Sequence, residues 1–253
     1  MNTKKKLDAF TCIAGQEHAK RALEVGAVGN SSILLVGPPG AGKTMLTSAY
    51  SKLVGNGIIC LSIGDSIKDI KKREKNYRNA LIIADDLTEF TRTVLLYIKE
   101  MAIRGLPVIA SMYPCPCGYF GDKYHSCLCT NSQIQIYKVK ISNIVEIFDI
   151  HVEVPSLMSR DIMAMLSGNC HSESIKDVKA RVKQAQKTGY TNLEIDRSTA
   201  SILETATQKL GFSMRTVNKT ISIARSIANL ADSERIGAEH ISEAIQYRTM
   251  WSV

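Results

Sequence analysis

No stretch of this chain approaches the ~18 consecutive apolar residues that a membrane span requires, so a membrane partner is not expected. The charged start (Lys4, Lys5, Lys6) is followed by no apolar h-region, which argues against a secretory signal and for a cytoplasmic protein. There is no even set of cysteines: the count is seven, and without an export signal disulfides are a poor explanation, leaving metal ligation or reduced thiols. Internal repeats are absent as well. What remains is ample for a folded protein, with 253 residues, 45% of them hydrophobic, enough for one large domain or two ordinary ones. The net charge of +8 attracts polyanions, and nucleic acid is the candidate partner, although solvated helix faces account for the surplus equally well. Its densest cluster, Lys68, Lys71, Lys72, Arg73, Lys75 and Arg78, reads as the outer face of a short helix.

Five apolar, β-branched runs alternate with helix-sized connections: Ser32–Val36, Gly57–Ile63, Ala80–Ala84, Leu106–Met112 and Ile150–Val154. Continuous apolar strands of this kind predict a parallel sheet covered on both faces. After Pro155 the pattern changes to apolar residues at three- and four-residue spacing, such as Ile202, Leu203, Ala206 and Leu210, or Val217, Ile221, Ala224, Ile227 and Ala228. The expected organisation is an α/β nucleotide-binding domain over 1–155, with a cysteine-rich loop over 114–130, and a helical domain over 156–253.

Gly37-Pro38-Pro39-Gly40-Ala41-Gly42-Lys43-Thr44 matches the phosphate-binding pattern G-x-x-x-x-G-K-[ST], set between an apolar run and the helical segment Met45–Leu53. Glycines let such a loop wrap its N–H groups around phosphate oxygens, and the helix N-terminus adds a favourable dipole. Lys43 would reach the β- and γ-phosphates and the Thr44 hydroxyl would ligate Mg²⁺. Leu81–Ala84 followed by Asp85 and Asp86 is an apolar strand ending in carboxylates, and Asp85 is the expected Walker B ligand of the metal.

Cys115-Pro116-Cys117 and Cys127-Leu128-Cys129 form two C-x-C pairs separated by nine residues. Four thiolates so spaced can surround one tetrahedral Zn²⁺ at about 2.3 Å each, with His125 available in place of one; reduced or redox-active cysteines in a surface loop are the competing reading. Four protein ligands leave no open position, which makes a zinc here structural. Cys12, Cys60 and Cys170 are isolated and read as small apolar residues, and His18, His151, His171 and His240 have no partner spacing.

Phe10–Leu23 (FTCIAGQEHAKRAL), the loop GPPGAGKTML, the segment YPCPCGYFGDKYHSCLCT, HVEVP and SIANLADSERIGAEHISEAIQYR together resemble the Mg-chelatase-like AAA+ ATPases of the ComM/YifB family, over about residues 8–248. The resemblance implies an AAA+ sheet of order 5-1-4-3-2, an all-α lid, ATP and Mg²⁺ as ligands, and assembly into a ring, as a homo-oligomer or with another AAA+ subunit. It implies that Ile13 and Gly15 lie near the adenine, that Gly37 to Met45 surround the phosphates, and that Arg215 in GFSMR is a sensor 2 arginine touching the γ-phosphate.

Departures from the family pattern concentrate on hydrolysis. The water-polarising glutamate is Asp86, one methylene shorter, where placement matters at the ångström level. The sensor 1 asparagine is Tyr113. The arginine given to a neighbouring subunit is Ile147, and such a finger is worth about 10³–10⁵ in rate, or roughly 4–7 kcal/mol of barrier; Arg160 and Arg181 are nearby arginines that could stand in. Only 35 residues separate Thr44 from Ala80, too few for the family's helix-2 insertion, and a single helix fits between Asp86 and Leu106, without a β-hairpin. The chain also reads as lacking the family's Lon-like domain. The expectation is an ATP-binding, hydrolysis-impaired member acting through assembly or a partner; an active motor on DNA is the alternative.

Overall fold

The computed structural model describes residues 10, 13–55, 57–77, 79–167 and 173–248. Five parallel strands, β1 (Ile33–Val36), β2 (Gly57–Cys60), β3 (Ala80–Ala84), β4 (Val108–Met112) and β5 (Ile150–Glu153), form one sheet in the order β2-β3-β4-β1-β5. This is the expected 5-1-4-3-2 order, and each strand falls within its apolar run. β1 sits between β4 and β5, with Ile33 opposite Ile109 and Ile150, and Val36 opposite Met112 and Glu153.

Side chains alternate across a strand, so β1 feeds two cores. Leu34 and Val36 join Ile82, Ala110 and Met112 on the face covered by α3 (Ile67–Glu74), α4 (Arg92–Ile103) and α5 (Asn131–Val145), through Ile70, Ile98, Met101, Ile141 and Ile144. Ile33 and Leu35 face α1 (Glu17–Gly29) and α2 (Lys43–Val54), with Leu23, Leu46 and Tyr50 buried among them. The basic segment does form a short helix, α3, on which Lys68, Lys71 and Lys72 are exposed while Ile70 points into the core; Arg78 lies outside the described residues.

Beyond β5 the described chain is helical: α6 (Ser159–Leu166), α7 (Ile175–Thr188), α8 (Arg197–Leu210), α9 (Met214–Leu230) and α10 (Ala238–Gln246), with one isolated bridge, Ile195 to Ile236. These helices do not build a core apart. Val178, Val182, Leu203, Ile223, Ile241 and Tyr247 belong to the same apolar cluster as Leu23, Ile33 and Ile150. The end of α10 returns to the sheet, where the His151 N–H donates to the Tyr247 carbonyl at 2.9 Å. Arg181 of α7 is tied within the chain to buried Glu24 of α1 and to Glu173. No described helix is long and apolar enough to cross a membrane.

Candidate nucleotide and metal sites

The loop between β1 and α2 leaves the carboxyl end of β1, where a parallel sheet gathers its ligand-binding groups. Gly37 is dictated by packing, since a Cβ there would lie 2.0 Å from the Val154 carbonyl oxygen on β5's exit. Gly40 and Gly42 are dictated by conformation, with φ of +77° and +91°, and a Cβ on either would meet no atom within 4 Å. The loop therefore packs on one side and opens on the other, at the amino end of α2, where a helix presents free N–H groups and the positive end of its dipole.

Lys43 is buried to 7% exposure, and its Nζ donates to the Gly37 and Pro38 carbonyls, each at 2.9 Å. Burial pulls its ammonium below the ordinary lysine range, opposed by the nearby charges of Asp86 and Asp85. Asp85 accepts from Ser111 Oγ at 3.0 Å, and the Ser111 oxygen in turn accepts from the Asp86 N–H at 3.1 Å. Burial raises the Asp85 carboxyl above its ordinary value, while hydrogen bonds from Ser111 and Thr44 work against that. A divalent cation beside Asp85 would supply the missing positive charge. Thus Lys43, Thr44, Asp85 and Asp86 converge, and the donor set suits a magnesium-bound triphosphate. Asp86 sits in the left-handed region at φ +53°, which aspartate tolerates better than most residues.

Tyr113 directly follows β4 and turns back over the phosphate loop. Its ring lies 4.5 Å from Lys43 Nζ, a cation–π contact. Its carbonyl accepts from the Tyr137 hydroxyl at 2.6 Å. Ser111, Gln16 and this ring contact are participants that motif reading passed over. Ser111 carried a signal, being the one hydroxyl in the strand VIASM beside the Walker B strand. Gln16, in the left-handed region after Gly15, donates to the Pro155 carbonyl at 2.7 Å and to that of Ala41 at 3.4 Å, tying α1 to the phosphate loop.

Two adjoining cavities lie beside this loop. One of about 340 Å³ is lined by Gly37, Pro38, Phe120, Asp122, Lys123 and Ser156, among others. The second, about 750 Å³, runs along Gly15–His18 to Met158 and Asp161. Gly15 lines it, whereas the Ile13 side chain is buried in the core at 4% exposure. Met45 is exposed on the first turn of α2.

Arg215 requires a correction. It lines cavities with Asn30, Ser31, Ser32, Asp149 and Lys219, at the amino ends of β1 and β5. The phosphate loop leaves the opposite end of β1, a strand's length of about 13 Å away, so Arg215 does not join its own chain's loop. Burying α9 against α1 in the shared core holds it there. Ile147 lies at the same amino end, and its carbonyl accepts from Lys219 Nζ at 2.8 Å, while Arg248 Nη1 donates to the Phe148 carbonyl at 2.6 Å. Lys219 Nζ also donates to the carbonyl of Glu146, the residue that caps α5, at 3.1 Å, so two cations hold the segment that leaves this helix.

The four cysteine sulfurs of Cys115, Cys117, Cys127 and Cys129 lie within 4.8 Å of one another, and three of the pairs measure 3.4, 3.5 and 3.7 Å. Tetrahedral zinc with sulfurs at about 2.3 Å sets its ligands roughly 3.8 Å apart, so the set fits. Backbone N–H groups point at sulfur as well, from Phe120 to Cys115 and from Cys117 to Cys129. The four thiols influence one another: the Tyr119 N–H pulls Cys117 below the ordinary thiol range, while burial pushes Cys129 above it. His125 is not among these ligands; its ring pairs with Asp122 at 2.9 Å and packs on Tyr119. Cys60 is exposed, and Cys12, Cys170 and His171 lie outside the described residues.

An αβ layer of this strand order, with a phosphate loop after β1 and a carboxylate pair after β3, is the fold of an AAA+ ATPase. The profile of the magnesium chelatase ChlI subunit matches residues 9–59 and 104–162, and that of the ChlI C-terminal region matches 172–248. The chain is 27% identical to the competence protein ComM of Haemophilus influenzae and 24% identical to YifB of Escherichia coli, over 95% and 94% of its own length. It belongs to the magnesium-chelatase-like AAA+ ATPase family that these proteins represent. It spans 60% of the length of each of those relatives. The alignment with ComM runs over 307 positions, more than the 253 residues present, so the relative carries residues that this chain lacks within the aligned span. The ChlI profile leaves 60–103 unmatched, a stretch in which one α-helix, α4, lies between Asp86 and β4. A crystal structure of a Cytophaga hutchinsonii protein assigned as an ATPase shares the fold, with a TM-score of 0.59 and 15% identity over 94% of this chain and 82% of the other.

Proposed function

We propose that this chain binds ATP with Mg²⁺ on Gly37–Met45 and Asp85, hydrolyses it poorly, and acts through nucleotide-dependent assembly, with copies of itself or with another AAA+ subunit. The single observation that carries the reading is the pairing of an intact phosphate loop with Tyr113 over Lys43. The lysine that must meet the phosphates is held by two carbonyls and a ring, and the ring stands where the family places a water-orienting amide. Asp86 and Ile147 weaken the same step from other sides. Arg215 is set away from its own loop, and a role toward a neighbouring copy is part of the same reading. A structural zinc in the four cysteines and a cytoplasmic location belong to the same reading.

Saturating ATP at about 100 times its Kd stabilises a protein by about 2.7 kcal/mol, which for this size raises Tm by roughly 5–11 °C. The expected result is such a rise with ATP and Mg²⁺, its loss in Lys43→Ala, and steady-state turnover near background. Brisk turnover that Lys43→Ala abolishes would refute impaired hydrolysis, and the same Tm with and without ATP would refute binding. Mass measurement in solution with and without ATP and Mg²⁺ reads assembly. The second reading, a motor acting on DNA, draws on the exposed Lys68, Lys71, Lys72 and Lys75; salt-dependent DNA binding with DNA-stimulated turnover would favour it.

A further inference from the structure

We infer that the metal centre of Cys115, Cys117, Cys127 and Cys129 is a working part of the nucleotide site, because the loop that it folds packs on Pro39 and supplies one wall of a cavity lined by Gly37 and Pro38 of the phosphate loop. The inference rests on the nucleotide reading above.

The loop has almost no regular structure of its own. Between Tyr113 and the start of α5 at Asn131 it forms no helix or strand, and apolar burial is concentrated at Cys115. Chain of this length without a core needs another source of order, and a tetrathiolate zinc-class ion supplies it. What the ion would order is then pressed against the phosphate loop. Gly118, at φ +87°, lies so close to Pro39 that a Cβ would come within 2.9 Å of Pro39 Cδ, and within 3.5 Å of the Tyr113 ring. Phe120, Gly121, Asp122 and Lys123 line the 340 Å³ cavity facing Gly37 and Pro38. Asp122 then fastens the far side, accepting from Ser156 Oγ at 2.5 Å, and Lys123 reaches into both cavities. Ser156 directly follows Pro155, whose carbonyl takes Gln16, so the metal loop, β5's exit and the start of α1 close around one space.

A ring of contacts that depends on the loop's shape makes metal occupancy and nucleotide affinity linked quantities. Losing the ion would release the Gly118–Pro39 contact and the Lys123 wall together, without touching Lys43, Thr44 or Asp85. Lys123 is assigned as a nucleotide-contacting cation presented by the metal loop.

The test uses the purified full chain. Elemental analysis should find one zinc-class ion per chain. ATP affinity, measured by calorimetry with Mg²⁺ in excess, should weaken about tenfold after thiol-reactive removal of the ion and return when Zn²⁺ is restored. Lys123→Ala should keep its metal and its circular dichroism and still lose roughly fivefold in ATP affinity, with Lys123→Arg recovering most of it. An ion content near zero in the freshly purified protein overturns the inference, as does an ATP affinity unmoved within twofold by metal loss or by Lys123→Ala. Failure of the nucleotide reading is distinguishable: the metal-loaded protein and its Lys43→Ala variant would then both show no heat with ATP.

Discussion

His151 offers a prediction that can be worked through from the structure. The ring is buried at 4% exposure on β5; its Nε2 donates to the Val145 carbonyl at 3.3 Å, and Nδ1 has no partner among the described residues. Burial, with the cations of Arg248 and Lys219 nearby, lowers its pKa to about 3 from 6.5. The folded protein therefore refuses a proton that the unfolded chain accepts. Stability from this group is full above 6.5 and is lost as pH falls toward 3, because the unfolded state binds more protons throughout that window. Between pH 7 and pH 5 the loss is about 2 kcal/mol, at 1.36 kcal/mol per pH unit once the unfolded histidine is protonated. Urea unfolding of the wild type and of His151→Gln at both pH values isolates the contribution, since all other groups are common to the two proteins. The variant should be less pH-sensitive by about 2 kcal/mol, whatever its absolute stability. Equal pH dependence in the two proteins, or an imidazole NMR titration near 6.5 in the folded state, would show the reasoning to be wrong.

Other outcomes follow from single contacts. Gly37→Ala should destabilise by about 3 kcal/mol and abolish the ATP-induced rise in Tm, because its Cβ meets strand backbone that cannot retreat; Gly40→Ala, with open space but φ +77°, should cost about 1–2 kcal/mol, both read by urea unfolding. Tyr113→Asn should tighten ATP binding about fivefold by freeing Lys43 from a cation–π contact of about 1 kcal/mol, whereas Tyr113→Phe should leave it unchanged; calorimetry that shows no difference between the two refutes the parked-lysine argument. Arg215→Ala should leave the ATP affinity of dilute, single chains unchanged within about twofold while weakening ATP-dependent assembly, and a large loss in single chains would put Arg215 back at its own site.

Residues adjacent in sequence settled much of this protein before any coordinates. Strand–loop–helix is local physics: Ile33–Val36 is apolar because both its faces are buried, and Gly37 to Thr44 must turn and expose N–H groups within eight residues. The same holds for the carboxylates that end β3, and for the C-x-C pairs, whose spacing alone brings sulfurs together. The sheet order was legible only through resemblance, since pairing between β1, β4 and β5 joins residues more than seventy apart. Tertiary structure alone decided the rest. Packing of α9 on α1 carried Arg215 to the amino end of the sheet, although its motif matched a γ-phosphate contact. The chain reversal after β4 laid Tyr113 over Lys43 and Gly118 against Pro39. Each of these depends on where two distant segments meet, which no residue spacing encodes: local sequence sets what a segment can do, and packing sets what it does it to.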